Sequence, residues 1–481
     1  MEKFIGKYFT AFLIGIGMLA FVVRLYHITY PVADWHSWRQ SDTAAVARNF
    51  LRFGIDPLHP RYDDLSNIQS GKDNPQGWRM VEFPLYQVIG ASAKLSFPKI
   101  PLEVWLRLVT IFLSVGTTIF LGLLVAQYID AFTGVLAAFL FAILPYSIYY
   151  GRTILPDPSM VFWSVLSLWL IGRGKSLWWT IFAGIAGAIA LLSKPMAAFL
   201  LIPIPYIVYR QFGISIKSFL RFIVYAIISF VSLLVWRKWI LQFPEGIPVS
   251  SWLLNGNGIR FKGAWFHWLF AVRLGDLMLG FWGLIPFGLG LALRPDKKEG
   301  WVFRWLGIGA LLYLIIFATG NIQHDYYQIL LIPVVAIYAA KGLASLFRMK
   351  ASGIAVGLAC LVAAVGFSWF TIRTYYWINH PEIVEAGRSA DAILPKDAKV
   401  IAPYSGDTTF LYQTQRQGWP LGFDIDKKIA MGATAYVTVS PTDADGETKD
   451  LASRYTVLVR NDKFAIIDLT RLASHSAGLK K

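Results

Sequence analysis

Charge is scarce in this chain, and negative charge is scarcer than positive. Only 15% of the 481 residues are charged while 56% are hydrophobic, whereas a soluble domain carries about 25% charged residues. The shortfall excludes a soluble globular protein. Apolar runs of roughly 18 residues or more recur along the first three quarters, the mark of a polytopic helical membrane protein. Cysteine is almost absent: Cys360 is the one present, so neither an intramolecular disulfide nor a cysteine-based zinc site can form. The chain also lacks a Walker loop, a Rossmann glycine fingerprint, a zinc-protease motif and a nucleophile elbow. Without a nucleotide loop, a soluble nucleotide-sugar donor and an ATP-driven pump are both disfavoured, and an activated substrate would arrive as a lipid. No internal repeat or low-complexity tract is visible.

Lys and Arg outnumber Asp and Glu by 45 to 29, for a formal charge of +16. Many of these cations occupy short loops between apolar runs, where they set topology. A nucleic-acid binder gathers them on one surface or arm, so no nucleic-acid partner is expected. Eleven spans fit the pattern: 8–26, 102–127, 132–150, 157–172, 177–192, 196–209, 219–240, 264–290, 304–319, 328–345 and 353–373. The run 8–26 is too long for a signal-peptide core and is read as a retained span. With the N-terminus inside, nearly every short inner loop is basic; the 128–131 connection, with Asp130, is the exception. The chain then reads as an integral protein of the cytoplasmic membrane. Segments 31–101, 151–157, 193–195, 241–263 and 320–327 all fall outside, as does everything after about 376.

The expected fold class is mostly α, with a membrane domain over 1–375 and a small extracytoplasmic α/β domain over 376–481. The first outer loop, 31–101, holds a helix pattern at 42–53, a turn-rich stretch from Gly54 to Trp78, and an apolar stretch from Phe83 to Phe97. Two short helices lying along the membrane surface fit this pattern. In the tail, AKVIAP, AYVTVS, RYTVLVR and KFAIIDL read as strands, with helix patterns near 381–393 and 424–431.

The outer segments carry the chemistry. Asp34, His36, Arg39, Gln40, Asp42 and Arg48 crowd together beside Trp35 and Trp38. A carboxylate here would take a proton from an attacking hydroxyl or amine; the structural alternative for Asp42 is capping a helix that starts at Thr43. Arg39 suits an anion, because guanidinium matches phosphate in a bidentate fork. His36 suits a phosphate contact or a metal, although a lone loop histidine is more often structural. Glu82 brings a second acid, with favourable placement at a helix start as the alternative. Asp42, Glu82 and His36 are the candidate ligands for a divalent metal. Asp157, held between Pro156 and Pro158, is an ionisable residue wedged at a span end. Arg152 shares its short loop. Lys194 either contacts an anion or snorkels to the interface. An aromatic belt accounts for Tyr326 and Tyr327 but not for His324 and Asp325 between Gln323 and Tyr326.

Taken together, HSWRQSDTAAVARNF in the first outer loop, EFPLYQ before the second span, RTILPDP after the third, SKP, and HDYYQILLIP resemble the GT-C superfamily of membrane glycosyltransferases. The likeness is to the bacterial branch grouped with protein O-mannosyltransferases and the lipid A aminoarabinose transferase. It covers about residues 1–375 in organisation. The resemblance implies a polyprenyl-phosphate sugar as donor and an acceptor glycan, lipid or protein glycosylated on the outer face with inversion. It implies an acidic base in the first outer loop and a second acidic residue after the third span, which Asp157 matches. The family often shows an adjacent acidic pair where this chain has Asp34 and Asp42 eight residues apart; Asp42 is favoured as base, followed by Asp34. Arg39, Arg152, Lys194, His324, Tyr326 and Tyr327 are then assigned to the donor's phosphate and lipid. His36, Gln40, Glu82 and Asp325 are assigned to the acceptor or to support. A polyprenyl-lipid transporter or flippase is the rival reading. It predicts ionisable residues near span midpoints and related halves, neither of which is visible. A membrane scaffold, a third reading, leaves the outer-loop cluster unexplained.

Overall fold

The computed structural model describes residues 2–442 and 446–473. The chain divides into two compact units, one from 1–28, 106–239 and 250–376, the other from 29–105, 240–249 and 377–481.

The first unit is helical and membrane-type. Among the described residues, Leu102–Tyr128, Ile216–Ile240, Asp325–Phe347 and the helix starting at Ala351 are long and apolar enough to cross a bilayer, and six shorter apolar helices accompany them. Several expected spans are interrupted, each for a local reason. The run 132–150 breaks at Leu144, which is extended; Pro145 then starts a separate helix, Pro145–Tyr150, because proline cannot donate to the preceding turn. The run 264–290 is not one helix. Its middle, His267–Met278, is a wide π-helix that ends where Gly280 and Phe281 take positive φ. A Cβ on Gly280 would stand 2.3 Å from the Ala364 carbonyl oxygen, so glycine is required there. Residues 325–331 form a 3₁₀ turn before the α-helix Ile332–Phe347.

Broken helices expose carbonyls, and this unit answers with buried arginine. Arg24, fully buried at the end of helix Phe9–Arg24, donates from Nη1 to the Ala20 and Ala142 carbonyls. Its Nη2 donates to the Phe141 carbonyl at 3.0 Å and to the Ser147 hydroxyl at 2.9 Å. Phe141 and Ala142 lie in the turn that Leu144 and Pro145 interrupt, so the guanidinium caps it. Gly151 makes room, since a Cβ there would lie 2.2 Å from Arg24 Nε. Elsewhere, helices Leu284–Ala292 and Ile332–Phe347 meet backbone to backbone. A Cβ on Gly290 or Gly342 would come within 1.8 Å of the facing carbonyl, the close approach small residues permit in membranes.

The second unit is built on a five-stranded sheet in the order β2-β1-β3-β5-β4, comprising β1 Lys399–Ile401, β2 Gln417–Trp419, β3 Ala433–Thr438, β4 Tyr455–Arg460 and β5 Ala465–Leu472. β1 pairs in parallel with β2 and β3, while β5 is antiparallel to β3 and β4. Helix Pro381–Ile393 and Phe410 pack with Val400, Val437 and Ile466. Leu65, Trp419, Tyr436, Leu451 and Ile467 form a second cluster. The strand β2 and the helices Thr408–Gln413 and Glu447–Arg454 are too short for a periodic pattern to mark them in the sequence.

The expected division kept 31–101 with the membrane domain, but its contacts group it with the tail. Asp64 pairs in parallel with Gly418, extending the sheet beyond β2, with Leu65 N–H donating to the Gly418 carbonyl and Gly418 N–H to the Asp63 carbonyl, both at 2.8 Å. An edge strand left open would offer unpaired backbone groups, and the loop takes them up. Both helices expected in the loop are present, as Ser37–Phe53 and Leu85–Ser96. In the first, every residue from Arg39 to Phe50 is buried.

Candidate active site

Helix Ser37–Phe53 begins five residues earlier than its apolar pattern suggests. His36 precedes it in a left-handed conformation (φ 54°), with no side-chain cap. Asp42 therefore lies in the second turn, and the capping explanation fails for it. The physical reason is that this first turn is mostly polar and includes residues held by partners distant in the chain, Arg39 by Glu82 and Ser37 by Thr409, which local periodicity does not register.

Most polar side chains of this helix have found partners within the second unit; among the described residues the buried Ser41 hydroxyl has none. Arg39 Nη2 donates to both oxygens of Glu82, at 2.8 and 2.9 Å. Gln40 Nε2 donates to Asp34 Oδ1 at 2.7 Å. Arg48 is ion-paired with Asp63, donates to the Tyr412 carbonyl and stacks 3.9 Å from the Tyr412 ring centre. Asp42 Oδ1 accepts from the Thr408 hydroxyl at 2.7 Å. Its Oδ2 lies 2.8 Å from Arg79 Nη2, yet off hydrogen-bond alignment. The ion pair supplies the counter-charge while that oxygen keeps an unused acceptor direction.

Two further carboxylates act electrostatically on Asp42's surroundings. Asp64, wholly buried, accepts from Ser66 N–H at 2.8 Å. Burial pushes its carboxyl up to about 6, with the Ser66 hydrogen bonds opposing and the Asp42 charge adding to the rise. Asp407 is also raised, first by burial and then by Asp42, against hydrogen bonds from Thr409 and the His36 charge; it caps helix Thr408–Gln413 through Thr409 N–H. Asp63, Asp64, Arg79, Asp407 and Thr408 are absent from the sequence reading. The partners Asp42 and Thr408 are 366 residues apart, and no local motif signals such a pair. The one available hint was two adjacent acids, Asp63 and Asp64, in an acid-poor chain.

The candidate metal ligands do not assemble. Glu82 is committed to Arg39 and Asp42 to Arg79. Among the described residues no group of three or more His, Cys, Asp or Glu side chains is placed to hold an ion.

In the first unit, Asp157 opens helix Asp157–Ile171 with Pro158 in its first turn. Its Oδ1 accepts from Lys194 Nζ at 2.8 Å, and both residues are buried (2% and 8% exposed). Oδ2 is buried with no hydrogen-bond partner among the described residues, which marks it as able to take one from a ligand. Lys194 Nζ stands 5.3 and 5.2 Å from the ring centres of Tyr326 and Tyr327, within cation–π range. Those rings stack at 4.6 Å, and His324 stacks on Tyr326 at 5.5 Å and meets Trp252 edge-on. Asp157, Lys194, His324, Tyr326 and Tyr327 are thus brought together. Asp325 accepts hydrogen bonds from the Tyr150 and Tyr375 hydroxyls, and its carbonyl accepts from Tyr146; it ties the 325–331 turn to neighbouring helices. Arg152 is fully buried in a different cage, with the His27 carbonyl at 3.3 Å and the Tyr149 and Tyr376 rings beside it.

Against known proteins, residues 76–212 match the family model of dolichyl-phosphate-mannose-protein mannosyltransferases. No curated protein sequence matches the chain. The fold is similar to that of ArnT from Cupriavidus metallidurans bound to undecaprenyl phosphate, with a TM-score of 0.65, 13% identity, and coverage of 95% of this chain and 97% of that one. It is also similar to the oligosaccharyltransferase AglB from Archaeoglobus fulgidus in complex with an inhibitory peptide and a dolichol-phosphate (TM-score 0.56, 12% identity, 94% and 73% coverage). The chain has the GT-C fold, related to that of O-mannosyltransferases and ArnT, as its outer-loop motifs implied.

Proposed function

We propose that this protein transfers a sugar from a polyprenyl-phosphate-linked donor to an acceptor at the outer face of the cytoplasmic membrane, with inversion at the anomeric carbon. The observation that carries this reading is the fold match over nearly the whole of both chains to an enzyme holding undecaprenyl phosphate. In the proposed step the acceptor's hydroxyl or amine attacks the anomeric carbon as its bond to the phosphate oxygen breaks. The polyprenyl phosphate leaves with the bonding electrons, and the acceptor's proton passes to a carboxylate. Because the leaving group is already an anion, no carboxylic acid has to protonate it, unlike in glycosidases.

Asp42 is the proposed base: Thr408 and Arg79 hold the carboxylate while Oδ2 keeps an acceptor direction open. Asp34, held by Gln40, is the second candidate. Lys194 is the proposed cation for the departing phosphate, with Asp157 orienting its ammonium and Tyr326 and Tyr327 walling it. The outward orientation and the cytoplasmic membrane rest on the basic inner loops. No step is assigned to a metal, since two of the three candidate ligands, Asp42 and Glu82, are already paired with arginine.

The test is transfer by the purified protein from synthetic polyprenyl-phosphate sugars, with Asp42→Asn, Asp34→Asn and Asp157→Asn alongside. Transfer lost in Asp157→Asn and in one of the first two supports the assignment. Transfer surviving all three overturns the site. No transfer with any donor, together with lipid movement across vesicles, replaces the enzyme with a flippase.

A further inference from the structure

At the far end of helix Asp157–Ile171 from Asp157, roughly 20 Å along the axis, four helix ends surround a cavity of about 590 Å³. Its lining is Lys175, Gln211, Phe212, Lys217, Leu220 and Arg221. The ends are the C-termini of Asp157–Ile171 and Pro203–Phe212 and the N-termini of Leu177–Ser193 and Ile216–Ile240. Loop cations that only set topology need not converge; these three line one hollow.

They differ from Arg348 and Lys341 of this unit in having no acid, and from Arg210 in not being used up on backbone carbonyls. Arg348 is paired with Glu2 and Asp130, and Lys341 with Glu299. Arg210 is spent on the carbonyls of Lys297, Lys298 and Glu299. Among the described residues no carboxylate stands within ion-pair distance of Lys175, Lys217 or Arg221. Arg221 is nonetheless held in place, donating to the Thr180 hydroxyl at 3.2 Å and the Lys175 carbonyl at 2.9 Å, with Phe212 beneath it. A fixed guanidinium, two exposed ammonium groups and the Gln211 amide make a site for an oxyanion.

The surroundings select the carrier of that anion. Ile214, Ile216, Phe219 and Leu220 are 95%, 69%, 59% and 53% exposed, and Trp178 is 65% exposed, stacked on Phe182. Apolar side chains and an interfacial tryptophan beside a basic hollow match a lipid, with its chains on the helices and its head group among the cations. We infer that this cavity binds the phosphate head group of an anionic phospholipid, at the membrane end opposite Asp157 and Lys194. The site is independent of the sugar-transfer reading.

The experiment is binding of phosphatidylglycerol to the full-length protein in neutral detergent micelles, followed by native mass spectrometry and thermal unfolding. Phosphatidylcholine and inorganic phosphate serve as the other probes. Phosphatidylglycerol is expected to bind and stabilise where phosphatidylcholine and free phosphate do not. Lys217→Gln should weaken it about fivefold, and Lys175→Gln/Lys217→Gln/Arg221→Gln on the order of a hundredfold. Lys3→Gln/Lys7→Gln/Lys350→Gln, which removes equal charge from other loops, should leave it within twofold. Equal loss in that control, binding unchanged in Lys217→Gln, or free phosphate binding as well as the lipid would each overturn the inference. Lys217 is exposed and its ammonium makes no hydrogen bond or ion pair among the described residues, so the single variant is readable even where the triple one does not fold.

Discussion

Both units bury arginine, and they satisfy it differently. In the sheet-containing unit the guanidinium groups meet carboxylates: Arg39 with Glu82, Arg48 with Asp63, Arg79 with Asp42 and Arg416 with Asp391. In the helical unit they meet backbone carbonyls and aromatic faces. Arg24 caps the broken turn at 141–147, Arg107 donates to the Ile28 carbonyl, and Arg152 lies over Tyr149 and Tyr376. Interrupted helices supply carbonyls that need donors, so an arginine there completes the backbone rather than joining a charge network. A buried lysine bonded to a buried aspartate, as at Lys194 and Asp157, solves no such backbone problem. It costs desolvation of two charges, as does the buried Lys341–Glu299 pair of the same unit.

The largest test of this contrast is Asp42→Asn. If Asp42 is the base, kcat for sugar transfer falls by about 10²–10⁴ with little change in donor KM. If it is only another arginine partner like Asp63, unfolding temperature falls and kcat stays within a few-fold. Arg24→Met comes next. It strands the Ala142 carbonyl, at about 1–3 kcal/mol for a buried group left unsatisfied, while Phe141 keeps the Ser147 hydroxyl; the loss is read as thermal unfolding in detergent. Asp64 breaks the pattern from the other side, as a buried carboxylate whose carboxyl burial raises from 3.8 to about 6. A raised acid stabilises the fold fully below about pH 4, and that contribution is lost as pH rises through 6. Asp64→Asn should therefore match the parent at pH 4 and exceed it by about 2 kcal/mol at pH 8, measured by unfolding across that range. Smallest is Thr408→Val, which removes one charge-assisted hydrogen bond from Asp42, worth about 1.5 kcal/mol or roughly tenfold in kcat. Its pH–rate profile should shift if Thr408 positions the base, and stay put if it merely packs.

What was legible in the sequence is what repeats locally. Hydropathy runs marked most membrane helices, alternation marked β1, β3, β4 and β5, and proline flanks singled out Asp157. What escaped depends on partners distant in the chain. Nothing near Asp42 announces Thr408, and nothing in 60–65 announces that it will extend the sheet at Gly418. The start of helix Ser37–Phe53 was misplaced because His36 enters it through a left-handed turn that no capping residue advertises. The expected span 264–290 looked continuous because a π-helix and an α-helix show nearly the same apolar content. The arginine partners of two candidate metal ligands, Asp42 and Glu82, escape for a related reason: each lies about forty positions away, outside any window in which spacing is read.

The cap on the broken turn has a consequence for biosynthesis. Arg24 leaves the ribosome well ahead of its acceptors, which follow 117 to 123 residues later. Until they arrive, the first span carries a guanidinium with only the Ala20 carbonyl to receive it, and a charge of that kind resists full burial in lipid. The expected outcome is that the N-terminal helix stays near the membrane surface early in translation and is seated once 141–151 emerges. Crosslinking from position 24 in nascent chains halted before 141 and after 151 should move from lipid head groups to protein, which makes Arg24 a marker of the order in which the chain enters the bilayer.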